Sequence, residues 1–222
     1  MHWIAHALSE GRTALSEFES KQLLASYSIP VTREFLVTDR VSLNEAAREI
    51  GFPLALKGCS AEISHKTEQG LVRLDVRDER ELQSAFEDLT TRMHPAAPAV
   101  LVQEMVKGER ELLVGLTHDP QFGPCVMFGL GGVFTEVLED VTFRMAPLTR
   151  NDALRMMRDI RAHKILGPIR NMEPVDLDAM AEVIINVGRL GLEHPQVKEI
   201  DINPLKIRAG KPVAVDALVV LG

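Results

Sequence analysis

The spacing of apolar residues divides the 222-residue chain into short amphipathic helices and strands. Phe18, Leu23, Leu24 and Tyr27 predict a helix that opens at a Ser16-to-Glu19 capping box and stops before Ile29-Pro30. Residues 31–38 read as a strand. A second Ser-x-x-Glu box, Ser42 to Glu45, opens a short helix that ends at Gly51. Phe52–Lys57 is an almost unbroken apolar run, the pattern of a strand buried on both faces that delivers Lys57 at its exit. Residues 58–70, small and polar, read as a loop holding His65, Lys66 and Thr67, and Leu71–Val76 returns as a strand. Asp78 to Glu81 caps a third helix, with Leu82, Phe86, Leu89 and Met93 on one face.

His94-Pro-Ala-Ala-Pro98 reads as a linker, and the pattern changes beyond it. Ala99–Val106, Glu111–Thr117, Pro124–Leu130 and Val133–Leu138 read as four strands with little helix between them, hence an antiparallel sheet. One helix follows from Thr149, with Leu154, Met157 and Ile160 aligned, and another from Asp176, with Met180, Val183, Ile184, Val187 and Leu190. Glu199–Leu205 and Pro212–Asp216 close the pattern as two strands joined by a turn at Ala209-Gly210. The prediction is an α+β chain: a lead-in over residues 1–15, a βα-rich first lobe over 16–98, and a second lobe over 99–222. A cleft between two such lobes is a natural ligand site.

Composition narrows the function classes. A hydrophobic share of 45% supplies a sizeable core, in one large domain or two lobes. A net charge of −7, without any Lys/Arg-rich run, argues against nucleic acid as a partner. The two cysteines, Cys59 and Cys125, suggest neither a disulfide framework nor a zinc site, which fits a reducing cytoplasm. No apolar run approaches 18 residues and no signal-like start is present, so a cytoplasmic protein away from the membrane is expected.

Candidate chemistry gathers at a few positions. Alternation puts Glu199, Asp201 and Asn203 on one strand face, with Asp216 able to fall opposite them. Such oxygen donors suit Mg²⁺, and an edge hairpin with a solvated polar face explains them equally well. Lys57 fits either a phosphate ligand or a snorkelling lysine at a strand edge. Gly129-Leu-Gly-Gly132 fits a glycine turn over phosphates or an ordinary hairpin turn, with a strand expected after it. Arg144, aimed with Thr142 away from Phe143, fits a phosphate fork or a surface ion pair. The strand end at Gln103-Glu104 offers exposed backbone to an adenine edge, or is a charged hairpin loop.

Seven segments in order give these residues one context. They are Leu56-Lys57, Glu62–Thr67, Val102–Met105, Glu111–Gly115, Gly129–Phe134, Glu136–Arg144 and Glu199–Leu205. From about residue 10 onward the chain resembles the ATP-grasp (β) subunit of ADP-forming acetyl-CoA and acyl-CoA synthetases, and is more distantly similar to succinyl-CoA synthetase β chains.

The resemblance implies an ATP-grasp fold with the nucleotide cleft between two lobes, and ATP/ADP and Mg²⁺ as cofactors. It assigns Lys57 and Arg144 to the phosphates, and Glu104, Met105 and Val106 to adenine and ribose. Glu111, Gly131 and Gly132 join the ATP site, and Asn203 and Asp216 bind Mg²⁺ with Asp201 beside them. His65 would be a phosphohistidine. The partner it implies is a CoA-binding α subunit in an α2β2 heterotetramer, and the reaction is acyl-CoA + ADP + phosphate giving acid + CoA + ATP, reversibly. The sequence departs from the family pattern at Glu68-Gln-Gly-Leu71, Ser60-Ala-Glu-Ile63 and Arg170-Asn171. Two other readings accommodate the altered loop: a non-catalytic nucleotide-binding regulatory module, and a free-standing ATP-grasp carboxylate ligase.

Overall fold

The computed structural model describes residues 2–60, 69–93, 99–108, 110–170 and 172–222. The chain folds as two compact units. One is formed by residues 16–18 and 32–106, the other by residues 1–15, 19–31 and 107–222.

The smaller unit is a four-stranded antiparallel sheet backed by two helices. Its strands are β1 (Glu34–Val37), β2 (Leu54–Gly58), β3 (Val72–Val76) and β4 (Val100–Glu104), in the order β1-β4-β2-β3. The helices are α3 (Arg40–Ile50) and α4 (Glu79–Arg92). Leu43, Leu54, Leu56, Leu82, Leu89, Val100 and Val102 make their common core. The predicted face of α4 is buried from Leu82 to Met93, and Asp78 caps it by accepting the Glu81 N–H at 2.8 Å. Helix α3 starts earlier than the Ser42 box suggested. Asp39 is its N-cap, and Ser42, the third residue of its first turn, reaches back with its hydroxyl to accept the Asp39 N–H.

The lobe boundary also moves. The strand expected to open the second lobe pairs with both β1 and β2, so it belongs to the first sheet, and the division falls after Val106 instead of after residue 98. The linker reading at 94–98 lies outside the described residues.

The larger unit is a six-stranded antiparallel sheet. Its strands are β5 (Glu111–Asp119), β6 (Gly123–Leu130), β7 (Val141–Met145), β8 (Val197–Arg208), β9 (Lys211–Ala214) and β10 (Leu218–Leu221). The order is β10-β8-β5-β6-β7, and β9 also pairs with β8. Helices α6 (Arg150–Asp159) and α7 (Leu177–Glu193) start at the predicted caps, Thr149 and Asp176. They bury Met156, Met157, Val183, Ile184, Val187 and Leu190 against Leu112, Val114, Val126, Phe128, Ile200 and Ile202. The alternate strand positions therefore face away from the helices.

Residues 2–9, read only as part of a lead-in, form a helix, α1 (His2–Ser9), whose Ile4 and Ala7 join the core. Val133–Leu138 is a short helix, α5, and not a strand. Gly132 takes φ +62°, which turns the chain out of the sheet, and the left-handed Glu139 (φ +46°) returns it into β7. β-branched and apolar residues do not force a strand when the turn before them leaves the sheet. The remaining helix, α2 (Glu17–Ser26), ends before Ile29-Pro30 as expected.

Candidate functional site

The hairpin of the larger unit is built as its residues dictate. Arg208 pairs with Lys211 across Ala209 (φ +48°) and Gly210 (φ +78°), two left-handed residues that match the twist of a two-residue hairpin turn. β8 pairs with β10 through residues 197–201 and with β9 through residues 205–208. Between those two pairings stand Asn203 and Pro204. The connection from β9 to β10, which carries Asp216, passes along this gap, with Val215 N–H donating to the Pro204 carbonyl at 3.1 Å. On the other edge β8 bulges against β5: Leu205 pairs with Leu112 and Ile202 with Val114, so three steps on β8 match two on β5.

Glu199, Asp201 and Asn203 share the helix-free face, as alternation predicted, and Ile200 and Ile202 are buried on the other. They line a cavity of about 420 Å³ with Leu113, Thr117, Met127, Thr135 and Phe143. Gly115, opposite Asp201 in the register, puts no side chain into this floor. Asp201 keeps contact with solvent, yet its carboxyl is pushed up to about 6. Reduced hydration among its neighbours is the main cause, and the charges of Asp216 and Glu199 add to it.

The glycine turn meets the hairpin. Gly132 N–H donates to Asn203 Oδ1 at 2.9 Å, and Gly131 N–H donates to the Glu111 carbonyl at 2.9 Å. Gly131 is required by space, because a Cβ there meets main chain, and Gly132 by its positive φ of +62°. A Cβ on Gly131 would lie 2.3 Å from the Leu112 carbonyl oxygen, and one on Gly132 would lie 2.0 Å from Glu111 Oε2. Lys206 completes the cluster, its Nζ 3.1 Å from Glu111 Oε1. Strict alternation hid Lys206, because the bulge at 203–204 returns it to the face of Asn203. The structure thus brings together Glu111, Gly131, Gly132, Asn203 and Asp201, with Asp216 near enough to shift Asp201.

Other predicted residues stand elsewhere. Arg144 alternates with Phe143 on β7 as expected. That puts its backbone position on the helix-covered side, where Thr142 Oγ1 bonds the Met156 carbonyl at 3.2 Å and the Arg144 guanidinium pairs with Asp159. Of the two features expected of Arg144, the ion pair is present, with Asp159 as its partner. In the smaller unit, Lys57 is 5% exposed and its Nζ lies 2.6 Å from Oε1 of Glu17, itself 3% exposed. It is a buried ion pair and not a snorkelling edge lysine. Glu104 accepts the Arg33 N–H at 3.0 Å, Met105 N–H donates to the Pro53 carbonyl at 3.4 Å, and Val106 is buried. His65 lies outside the described residues.

Among the described residues no three His, Cys, Asp or Glu side chains group closely enough to hold a metal alone. The donor set nevertheless suits Mg²⁺. Asp201 and Asp216 repel one another without a cation between them, Asn203 adds an amide oxygen, and Mg²⁺ ordinarily completes its shell with phosphate oxygens and water. No helix among the described residues is long and apolar enough to cross a membrane.

The antiparallel sheet of the larger unit thus carries a glycine turn bonded to an Asn/Asp hairpin. The chain belongs to the ATP-grasp family, whose domain model matches residues 6–221. Within that family it stands among the β subunits of ADP-forming acetate–CoA ligases. It is 40% identical to the β subunit of ADP-forming acetate–CoA ligase I of Pyrococcus furiosus, over 98% of this chain and 96% of that one. It is 41% identical to an ADP-forming acetate–CoA ligase I of Archaeoglobus fulgidus, over 92% of this chain but only 30% of that longer protein. An acetyl-coenzyme A synthetase 1 of Ca. Korarchaeum cryptofilum superposes with a TM-score of 0.93 at 41% identity, covering 98% and 97% of the two chains. Another structure of that enzyme holds coenzyme A and Mg-AMPPCP, with its phosphohistidine segment pointing towards the nucleotide site, and superposes with a TM-score of 0.88 at 40% identity, covering 100% and 99%.

Proposed function

We propose that this chain is the nucleotide-binding subunit of an ADP-forming acetyl-CoA synthetase. It would move a phosphoryl group reversibly between ATP and His65, with Mg²⁺ as cofactor. The observation that carries the proposal is the bond from Gly132 N–H to Asn203 Oδ1, which ties the glycine turn to the carboxylate hairpin. Asn203, Asp216 and Asp201 would hold Mg²⁺. When bound, the metal supplies charge neutralisation for a transferring phosphoryl group. Lys57 would face the phosphates, and Glu104 with Met105 and Val106 the adenine and ribose. Neutral imidazole is a good nucleophile near neutral pH and gives an intermediate that can be undone. In the transfer His65 bonds to the γ-phosphorus as the bond to the ADP oxygen breaks, and the reverse step restores ATP.

The P. furiosus relative is named a β subunit and the A. fulgidus relative is a longer single chain, so a partner α subunit is implied. That partner would bind CoA and the acyl group, and we propose an α2β2 assembly in the cytoplasm.

Incubation with γ-labelled Mg-ATP tests the reading. The expected product is an acid-labile, base-stable phosphoprotein that disappears in His65→Asn. Nucleotide binding without any label would mean a regulatory module or a free-standing ligase, and a screen of acids for ADP release separates those two.

The Asp201 carboxyl predicts a pH dependence. Its pKa of about 6 in the fold lies above the ordinary value of about 3.9, so the folded state holds this proton more tightly than the unfolded chain does. Without cation its contribution to stability is greatest below about pH 4 and declines as the pH rises through about 6. Mg²⁺ requires the ionised form. Mg²⁺ affinity, measured by calorimetry, should therefore rise with pH up to and slightly beyond 6. Asp201→Asn should flatten that rise.

A further inference from the structure

Arg110 takes no part in the chemistry above. It precedes β5, is 3% exposed, and lines a cavity of about 350 Å³ with Gly108, Met172, Glu173, Ile207 and Gly210. Its Nη2 donates to the Met172 carbonyl at 3.4 Å, near the outer limit for a hydrogen bond. Its Nε and Nη1 are shielded from solvent and have no hydrogen-bond partner among the described residues. A guanidinium cannot shed its proton in a protein, and an uncompensated buried charge is strongly destabilising. Its own carbonyl and Gly108 are tied to β8. The Arg110 carbonyl accepts the Ile207 N–H at 3.3 Å, and Gly108 packs so tightly that a Cβ there would lie 2.6 Å from the Ile207 carbonyl oxygen.

We propose that this cavity binds a small monocarboxylate, with Arg110 as its anchor. The Nε–Nη2 edge of a guanidinium offers two N–H groups side by side, the spacing of two carboxylate oxygens, and here only the long Nη2 bond to the Met172 carbonyl occupies it. Met172 and Ile207 provide an apolar wall for a short carbon chain. The exposed Glu173 carries charge of the ligand's own sign, which disfavours a multiply charged phosphate more than a singly charged acid. The volume is near the lower end of small-molecule sites, roughly 300–1,000 Å³. The acid reaches the shielded edge as the Met172 carbonyl gives way, and the 3.4 Å bond is a weak latch.

The test is an NMR titration of the full chain, labelled with ¹⁵N at arginine, with sodium propionate and, separately, inorganic phosphate. The Arg110 Nε–H resonance is identified by its absence in Arg110→Met, or in Arg110→Gln where Met fails to fold. The expected result is a saturable 1:1 shift of that resonance with propionate and none with phosphate at equal concentration. A nucleotide-site response to phosphate would leave this resonance in place, so the outcome is independent of the ATP reading. Arg110→Met should also lose any propionate-dependent rise in Tm, while its Tm in anion-free buffer equals or exceeds that of the natural chain. An unmoved Nε–H resonance, a phosphate response as large as that of propionate, or a lowered Tm for both Met and Gln variants in anion-free buffer would overturn the proposal.

Discussion

Gly131→Ala should destabilise the larger unit by about 3 kcal/mol or more and abolish nucleotide binding. Overpacking ordinarily costs about 1–3 kcal/mol because a side chain or a loop can yield. Here the obstruction is the Leu112 main chain, 2.3 Å from the added carbon, in a central strand paired on both sides. The backbone of the glycine turn must then move, and Gly132 N–H, the donor to Asn203 Oδ1, moves with it. Urea unfolding read by circular dichroism gives the stability, and fluorescence titration with a nucleotide analogue gives the binding. Gly167→Ala is the matched control. Its added carbon meets nothing nearer than the Lys164 carbonyl oxygen at 3.4 Å and should change stability by less than about 0.5 kcal/mol. Equal losses in the two variants would remove the structural role assigned to the glycine turn.

Glu17→Ala should cost about 3–5 kcal/mol, the ordinary penalty for removing one partner of a buried ion pair. The carboxylate it removes lies 2.6 Å from Lys57 Nζ, and neither residue is more than 5% exposed. Replacing both residues by methionine should cost much less than the sum of the single changes, since neither charge then remains in the interior. Thermal unfolding of the four proteins in one buffer measures the coupling. Additive losses would show that the two charges stabilise the smaller unit independently.

Legibility in the sequence followed the range of the forces involved. Helix starts at Asp78, Thr149 and Asp176 could be read because a cap depends on residues three positions apart. The face shared by Glu199, Asp201 and Asn203 could be read because strand alternation is local. What escaped depended on pairing between distant segments. Which sheet receives Val100–Glu104 is decided by its partners at 34–37 and 54–58, and no local pattern carries that information. Lys206 was hidden by one extra residue in β8, and Glu17 by the 40 positions between it and Lys57. Val133–Leu138 misled because its composition suits a strand while the glycine before it steers the chain away. The side to which Arg144 belongs follows from its alternation with Phe143, but only once the helices are known to cover that side.

The larger unit closes with residues from opposite ends of the sequence. Ala14 pairs with Val220, Leu15 N–H bonds the Val219 carbonyl at 2.9 Å, and Leu221 N–H bonds the Thr13 carbonyl at 2.7 Å. During synthesis the segment around residue 14 therefore waits for more than 200 residues before its partner leaves the ribosome. Almost all of the smaller unit, residues 32–106, is made without interruption in that interval and is first in line to fold. A nascent chain stopped just before Leu218 would carry α1 and its buried Ile4 without this clasp, so the order of translation fixes which half of the molecule is finished last.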